Sequence, residues 1–323
     1  MDRATMKAVL FDRYGGPEVL RVGQVDRPEP GPGEALVRVR AFSVNGGELA
    51  ARAGRVRFLT GRKFPQRVGL DFTGEIAALG DGAGAADVAV GDRAWGVLGR
   101  SSGFGSAAEY VTVPVDRLGP VPDGIDLVAA AALPVGTTAI TALRDKARLR
   151  PGEHLLVRGA AGGVGNVAVQ LAKARGAEVT ALARAANLDF VRGLGADHAV
   201  DHRAVDPRDL GRFDVVLDTA GSQLPLYRGL LKPGGRMVTI AFDLSRPAAS
   251  LGSIAASVVH GRGRVRAFSG NPRRPLFDDL ARHAAAGEVR PMVDQVFPLA
   301  ETAAAHRALE GGGVRGKYVV RVD

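Results

Sequence analysis

Cysteine is missing from the chain altogether. That excludes disulfides, thiolate zinc sites, iron–sulfur clusters and a cysteine nucleophile, and it suits a reducing compartment. Nothing approaches the roughly 20 uninterrupted apolar residues that a membrane span needs. The most apolar segment, 127–143, is broken by Pro134, Gly136, Thr137 and Thr138. The N-terminus runs through Met1-Asp2-Arg3-Ala4-Thr5-Met6 straight into the strand-like Lys7-Ala8-Val9-Leu10-Phe11, without the apolar run and cleavage site of a signal peptide. These absences predict a cytoplasmic protein with no membrane partner. Acid is scarcer than base, 34 residues against 43, for a net charge of +9. Such a balance attracts nucleic acid or anionic surfaces when it is clustered, but here the arginines are scattered. Even the densest group, Arg262-Gly263-Arg264-Val265-Arg266, alternates like one face of a strand. The expectation is therefore no nucleic-acid partner, with the positive charge solvated or attracting an anionic cofactor.

What is present is enough chain for two domains: 323 residues, 46% hydrophobic and 24% charged, the profile of a globular protein. Before Asp126 the chain reads as short strands (Lys7–Phe11, Ala35–Ala41, Phe72–Ala78, Arg93–Val97, Ala108–Val113) punctuated by Gly/Pro turns. That pattern predicts a small β-barrel. After Asp126, strands and helices alternate: strands at His154–Arg158, Glu178–Ala183, Phe213–Asp218, Arg236–Ala241 and Val265–Phe268, and helices at Val164–Arg175, Ala186–Leu194, Leu224–Leu231 and Leu276–Ala286. Such alternation predicts a doubly wound parallel sheet. A helix at Ala303–Leu309 and a strand at Lys317–Val322 follow, and that strand is expected to return to the first domain. The predicted fold is α/β, a Rossmann sheet over 125–289 beside a β-barrel domain formed by 1–124 with 290–323.

The sharpest motif is Gly159-Ala160-Ala161-Gly162-Gly163-Val164-Gly165, set between an apolar strand and an amphipathic helix. That is the context of a dinucleotide fingerprint, in which glycines admit the pyrophosphate to the helix N-terminus. Ala160 replaces the first glycine of the usual pattern. The strand after it ends Thr180-Ala181-Leu182-Ala183-Arg184, lacking the acid that receives an NAD ribose and offering a guanidinium suited to a 2′-phosphate. NADPH is the expected cofactor. A solvent-facing Arg184 is the plainer alternative.

These motifs fall within a longer series: Gly15-Gly16-Pro17-Glu18-Val19-Leu20, Pro32-Gly33-Glu34, Val44-Asn45, Gly69-Leu70-Asp71-Phe72-Thr73-Gly74, Gly91-Asp92-Arg93, Ala108-Glu109-Tyr110-Val111, Leu194-Gly195-Ala196-Asp197, Lys232-Pro233-Gly234-Gly235-Arg236 and Gly316-Lys317. In this order the chain resembles the zinc-independent, quinone oxidoreductase-like (zeta-crystallin-like) branch of the medium-chain dehydrogenase/reductase superfamily. The resemblance implies a GroES-like domain, a Rossmann domain and a cleft between them for cofactor and substrate. It implies that Gly162, Gly163, Val164 and Gly165 hold the pyrophosphate and that Arg184 holds the 2′-phosphate. Asn187 stands where many relatives carry a phosphate-binding lysine. Ala241 and Lys317 fall near the cofactor, and Asn45 and Thr138 at the nicotinamide end as catalytic candidates.

Missing chemistry narrows the reaction further. Zinc enzymes of the superfamily use Cys, His and Glu, where this chain has Asn45 and Leu70-Asp71, and its six histidines all lie from His154 onward. No metal is expected. Without a Lewis acid, a conjugated enone or quinone is the easier acceptor, because the incoming charge delocalises onto oxygen. The segment after Asn45 also lacks the tyrosine found in relatives, leaving water, Glu48 or Arg52 as proton donor. The predicted function is NADPH-dependent hydride transfer to a small-molecule quinone or enone by a homodimer paired through Arg264–Ser269. Alternatives are a narrow-specificity tailoring enoyl reductase and a non-catalytic NADPH-binding structural or RNA-binding protein.

Overall fold

Strands β1 (Thr5–Phe11), β2 (Arg21–Asp26), β3 (Glu34–Ser43), β4 (Gln66–Arg67), β5 (Asp71–Leu79), β6 (Arg93–Val97), β7 (Tyr110–Pro114) and β8 (Leu118–Pro120) open the chain. They are followed by β9 (His154–Arg158), β10 (Glu178–Ala183), β11 (His198–Asp201), β12 (Phe213–Asp218), β13 (Leu231–Thr239) and β14 (Val265–Ala267), and the chain closes on β15 (Val293–Pro298) and β16 (Lys317–Arg321). The helices used below are α1 (Gly46–Arg52), α2 (Arg57–Thr60), α3 (Leu127–Ala130), α4 (Gly136–Ile140), α5 (Gly163–Ala174), α6 (Leu188–Gly193), α7 (Leu224–Arg228), α8 (Arg274–Ala285) and α9 (Thr302–Gly311). The structure is a computed structural model describing residues 4–99, 103–241, 252, 257 and 265–322.

Two units result, residues 1–135, 271–286 and 291–323 in one and 136–270 with 287–290 in the other. These bounds differ from the 124/125 and 289/290 divisions expected from sequence. Helix α3 stays with the first unit because Thr73 Oγ1 donates to the Leu127 carbonyl at 2.6 Å. Helix α8 joins it too, its Phe277 packed so closely on β8 that a Cβ at Gly119 would lie 2.3 Å from Phe277 Cβ.

In the first unit β3 is the spine. It pairs antiparallel with β5, β7 and β16 in a sheet ordered β15-β16-β3-β5-β6-β8, while β1, flanked by β2 and β4, forms a three-stranded sheet. Both faces of β3 are largely buried because Ala35-Leu36-Val37, Val39 and Ala41-Phe42-Ser43 all face packed neighbours. Phe11, Phe42, Phe72, Ile76, Leu118 and Phe297 fill the core between the strands. This is the GroES-like domain expected from the sequence.

In the second unit six parallel strands run β11-β10-β9-β12-β13-β14. The chain starts at β9, winds out to β11, then restarts at β12 on the other side, which places the topological switch point between β9 and β12. β9 is buried from Leu155 onward. That fits a central parallel strand covered on both faces. Strand β14 ends the described sheet; the expected pairing strand began at Arg264, which lies outside the described residues.

Candidate functional site

In the second unit, β9 delivers the chain into a turn that only glycine permits at two points. Gly159 has φ +71°, and a Cβ on Gly165 would sit 2.1 Å from the Gly159 carbonyl oxygen. Ala160 replaces the first fingerprint glycine without strain, because it is fully buried and adopts no left-handed backbone. Gly162 caps α5, and the Asn166 side-chain amide donates to the carbonyls of Gly162 (2.9 Å) and Gly163 (2.8 Å). The N–H groups of Gly163, Val164 and Gly165 stand in the first turn, where a helix offers no acceptors. Together with the helix dipole they make a cradle that fits a pyrophosphate.

Arg158 and Asp218 cross-link the switch point below that cradle. The Arg158 guanidinium donates to Asp218 Oδ1 at 2.6 Å and to the Ser222 carbonyl at 2.7 Å, and stacks 3.6 Å from the Tyr227 ring. Asp218 also receives the N–H of Gly221 and the hydroxyl of Thr239. The pair is register-matched on β9 and β12, with Thr239 alongside on β13. A fully satisfied buried pair of this kind fixes geometry more than it adds stability. It sets the C-terminal ends of three strands, and the Thr239 hydroxyl also lies 2.9 Å from the Ala241 carbonyl.

Arg184 is the residue after β10, half-buried at the start of a short 3₁₀ turn, and its carbonyl accepts from Asn187 N–H at 2.8 Å. Asn187 itself is buried, 3% exposed, at the start of α6. Thr138 lies on α4, half-buried. The structure thus places Gly162 to Gly165, Arg184, Asn187, Thr138 and Ala241 on the second unit, and Asn45 and Lys317 on the first.

In the first unit Asn45 and Lys317, 272 residues apart, meet directly. Lys317 Nζ donates to Asn45 Oδ1 at 2.6 Å and to the Val44 carbonyl at 2.9 Å. Asn45 Nδ2 donates to the Ser43 carbonyl at 2.9 Å and to Asp71 Oδ2 at 3.0 Å. Both amide hydrogens are therefore committed within the protein, so toward any ligand Asn45 can accept a hydrogen bond but not donate one. Asp71, fully buried, also receives Ser43 N–H at 2.7 Å and Ser43 Oγ at 2.5 Å. Glu48 caps α1 from inside: its oxygens accept from the N–H of Asn45 (2.6 Å) and of Gly69 (2.5 Å). Gly69 has φ +89°, with Ala107 N 2.3 Å from where a Cβ would stand, so the turn that presents its N–H requires glycine. Burial lifts the Glu48 carboxyl to about 7, and burial also lowers the Lys317 ammonium against the pull of Asp71 and Glu48.

Three of these residues carry roles that sequence reasoning missed. Asp71 stood out only as the occupant of a zinc-ligand position, whereas it orients the Asn45 amide. Glu48 and Arg52 were candidate proton donors. Glu48 is fully buried between two backbone amides, and Arg52 is also fully buried, ion-paired with Glu310 of α9. The Asn45-to-Glu48 spacing of a capping box was the available signal for Glu48.

The zinc chemistry of the wider superfamily does not fit these residues. The oxygens of Asp71 are engaged by Ser43 and Asn45, and the Asn45 oxygen by Lys317. Among the described residues no three His, Cys, Asp or Glu side chains gather as metal ligands. No described helix is long and apolar enough to cross a membrane.

Comparison with known proteins matches residues 31–123 to the alcohol dehydrogenase GroES-like domain and residues 194–320 to the zinc-binding dehydrogenase family. A chloroplastic quinone oxidoreductase of Triphysaria versicolor is 30% identical, the match covering 98% of each chain. A trans-enoyl reductase of Aspergillus terreus is 28% identical over 91% of this chain and 87% of its own length. Among solved structures, the quinone oxidoreductase of Coxiella burnetii superposes with a TM-score of 0.90 at 28% identity, covering 99% of this chain and 100% of that one.

Proposed function

Because the chain belongs to the medium-chain dehydrogenase/reductase superfamily, in its quinone oxidoreductase-like branch, we propose that it reduces a quinone or the C=C bond of an enone with NADPH and without a metal. The family binds a nicotinamide cofactor and its homologues are oxidoreductases. The observation that carries the finer reading is the pairing of the Gly159–Gly165 cradle with Arg184, rather than an acid, at the end of β10. Gly162 to Gly165 would hold the pyrophosphate, with Arg184 on the 2′-phosphate and Asn187 and Ala241 beside the cofactor. Bound NADPH would supply the hydride.

The residues divide the remaining work. Thr138 carries a hydroxyl with no hydrogen bond among the described residues, so it is the group free to donate to the acceptor oxygen as charge develops there. Asn45 is held by Lys317 and Asp71 as an acceptor. Lys317 acts through Asn45 and is a positioning residue. With Glu48 and Arg52 both buried, solvent water delivers the proton. The enzyme works in the cytoplasm as a homodimer, with β14, the strand that ends the described sheet, as the edge facing a second copy. Resemblance to the Aspergillus trans-enoyl reductase favours a second reading, a tailoring enoyl reductase with one narrow substrate.

A panel of quinones and enones, assayed for NADPH oxidation and product, tests the proposal. Reduction of at least one class is the expected result. NADPH binding with no turnover on any acceptor would move the protein to a binding role.

A further inference from the structure

From Leu49 to Leu70 the chain carries six cations and no acid. Arg52 is turned into the core and Arg67 is half-buried, but Arg55, Arg57, Arg62 and Lys63 are exposed, and none of these four side chains has an ion pair or hydrogen bond among the described residues. Between them, on the single turn of α2, stand Phe58 and Leu59, 78% and 75% exposed. They are the most exposed large apolar side chains described, and they are adjacent. Scattered single apolar residues on a surface need no explanation. An adjacent pair at the tip of a cationic turn does.

The base of this turn is held firmly. The Tyr14 hydroxyl lies 2.8 Å from Thr60 Oγ1 and donates to the Gly61 carbonyl, and Gln66 Nε2 donates to the Thr60 carbonyl at 3.1 Å. Phe64 sets its ring edge-on to Tyr14 at 5.1 Å and to Phe11 at 6.0 Å. Phe64, 36% exposed, is thus packed on the fold through these rings, whereas Phe58 and Leu59 project much further.

We propose that the turn 55–64 docks the protein on a bilayer surface rich in anionic lipid. The charges match: four exposed cations face lipid phosphates while the apolar pair enters the headgroup–acyl boundary, the division of labour of an interfacial anchor. A second copy of this chain is disfavoured, since it would bring four cations against four. RNA is disfavoured because Leu59, one of the two most exposed groups, has no face on which a base can stack. The expectation of no membrane partner came from spanning segments, and a surface contact needs none.

Co-sedimentation of the 323-residue chain with phosphatidylcholine vesicles, with and without phosphatidylglycerol, is the test. The protein should bind the mixed vesicles and not the neutral ones, more weakly as salt rises. Each cation near an anionic surface strengthens binding about fivefold, so Arg57→Gln/Lys63→Gln should weaken it by about 25-fold. Arg150→Gln/Arg203→Gln, with the same net charge, should change it much less. Phe58→Ser/Leu59→Ser should also weaken binding to mixed vesicles while leaving the thermal midpoint unchanged. Three results would overturn the proposal: no vesicle binding, equal losses for the two charge pairs, or binding indifferent to the serine substitutions. Loss of a dimer or of RNA binding in the serine variant, with no vesicle binding in the parent, would assign the turn to another partner.

Discussion

Lys317 Nζ lies 2.6 Å from Asn45 Oδ1, while Asn45 Nδ2 lies 3.0 Å from Asp71 Oδ2. The amide is held between a cation at its oxygen and a carboxylate at its nitrogen, so a flipped amide would face repulsion at both ends. Replacing Lys317 with methionine keeps most of the side-chain volume and removes the charge, leaving Asp71 and Glu48 buried without their cation. Lys317→Met should destabilise the protein by about 3 kcal/mol or more, measured by urea unfolding. A loss below about 1 kcal/mol would mean that the cluster is not electrostatically coupled as described.

The cofactor half is tested by two glycines that differ in kind. A Cβ at Gly165 would meet the Gly159 carbonyl at 2.1 Å, whereas at Gly162 the nearest atom is 3.4 Å away, an ordinary contact. Gly165→Ala should therefore lower the thermal midpoint of the protein alone. Gly162→Ala should leave that midpoint near the parent value and weaken NADPH binding at least about tenfold, by crowding the phosphate. Calorimetric titration beside thermal melts separates the two effects.

The proposed role of Arg184 on the 2′-phosphate predicts a preference between the two nicotinamide cofactors. One charged hydrogen-bonded contact contributes roughly 1.5–3 kcal/mol, so NADPH should bind at least about tenfold tighter than NADH. Arg184→Ala should remove most of the difference. Equal affinities in the parent protein would count against this assignment.

The Thr138 hydroxyl, without a hydrogen bond among the described residues, gives a kinetic test. Loss of one preorganised donor to a developing oxyanion lowers turnover by about a hundredfold. Thr138→Val should do so with little change in NADPH affinity. Parallel losses in kcat and in NADPH binding would place Thr138 on the cofactor instead.

His306 supplies a pH prediction. It is fully buried on α9, and burial with the nearby Arg52 cation pushes its imidazole down to about 3. The folded state therefore favours neutral His306, while the unfolded chain protonates it near 6.5. Its contribution to stability is present above about 6.5 and is lost as pH falls from there toward 3, at up to about 1.4 kcal/mol per pH unit. His306→Leu should flatten the stability curve in that window, as urea unfolding across pH would show. An unchanged slope would mean that His306 already carries its proton in the fold.

Much of this architecture is legible in the sequence because local patterns carry it. The strands at His154–Arg158, Glu178–Ala183 and Phe213–Asp218 coincide with their apolar runs, and the glycine turn marks its own site. Helix α1 was hidden because it opens on Gly46-Gly47, two poor helix formers, and is held by a cap and by burial rather than by propensity. Strand β15 was hidden because Asp294 and Gln295 break its apolar pattern while β16 supplies its pairing. The Asn45–Lys317–Asp71 cluster joins residues from distant parts of the chain, and no local pattern announces such a meeting. The same holds for the Arg52–Glu310 pair, which holds Arg52 in the core.

The central claim, metal-free reduction by NADPH, is tested most directly by following NADPH oxidation with a quinone and an enone acceptor before and after exhaustive chelation, with metal content measured on the same sample. The account predicts turnover with at least one acceptor, unchanged by chelation, and no stoichiometric zinc. One zinc per chain, activity abolished by the chelator and restored by zinc, and oxidation of simple alcohols would contradict it.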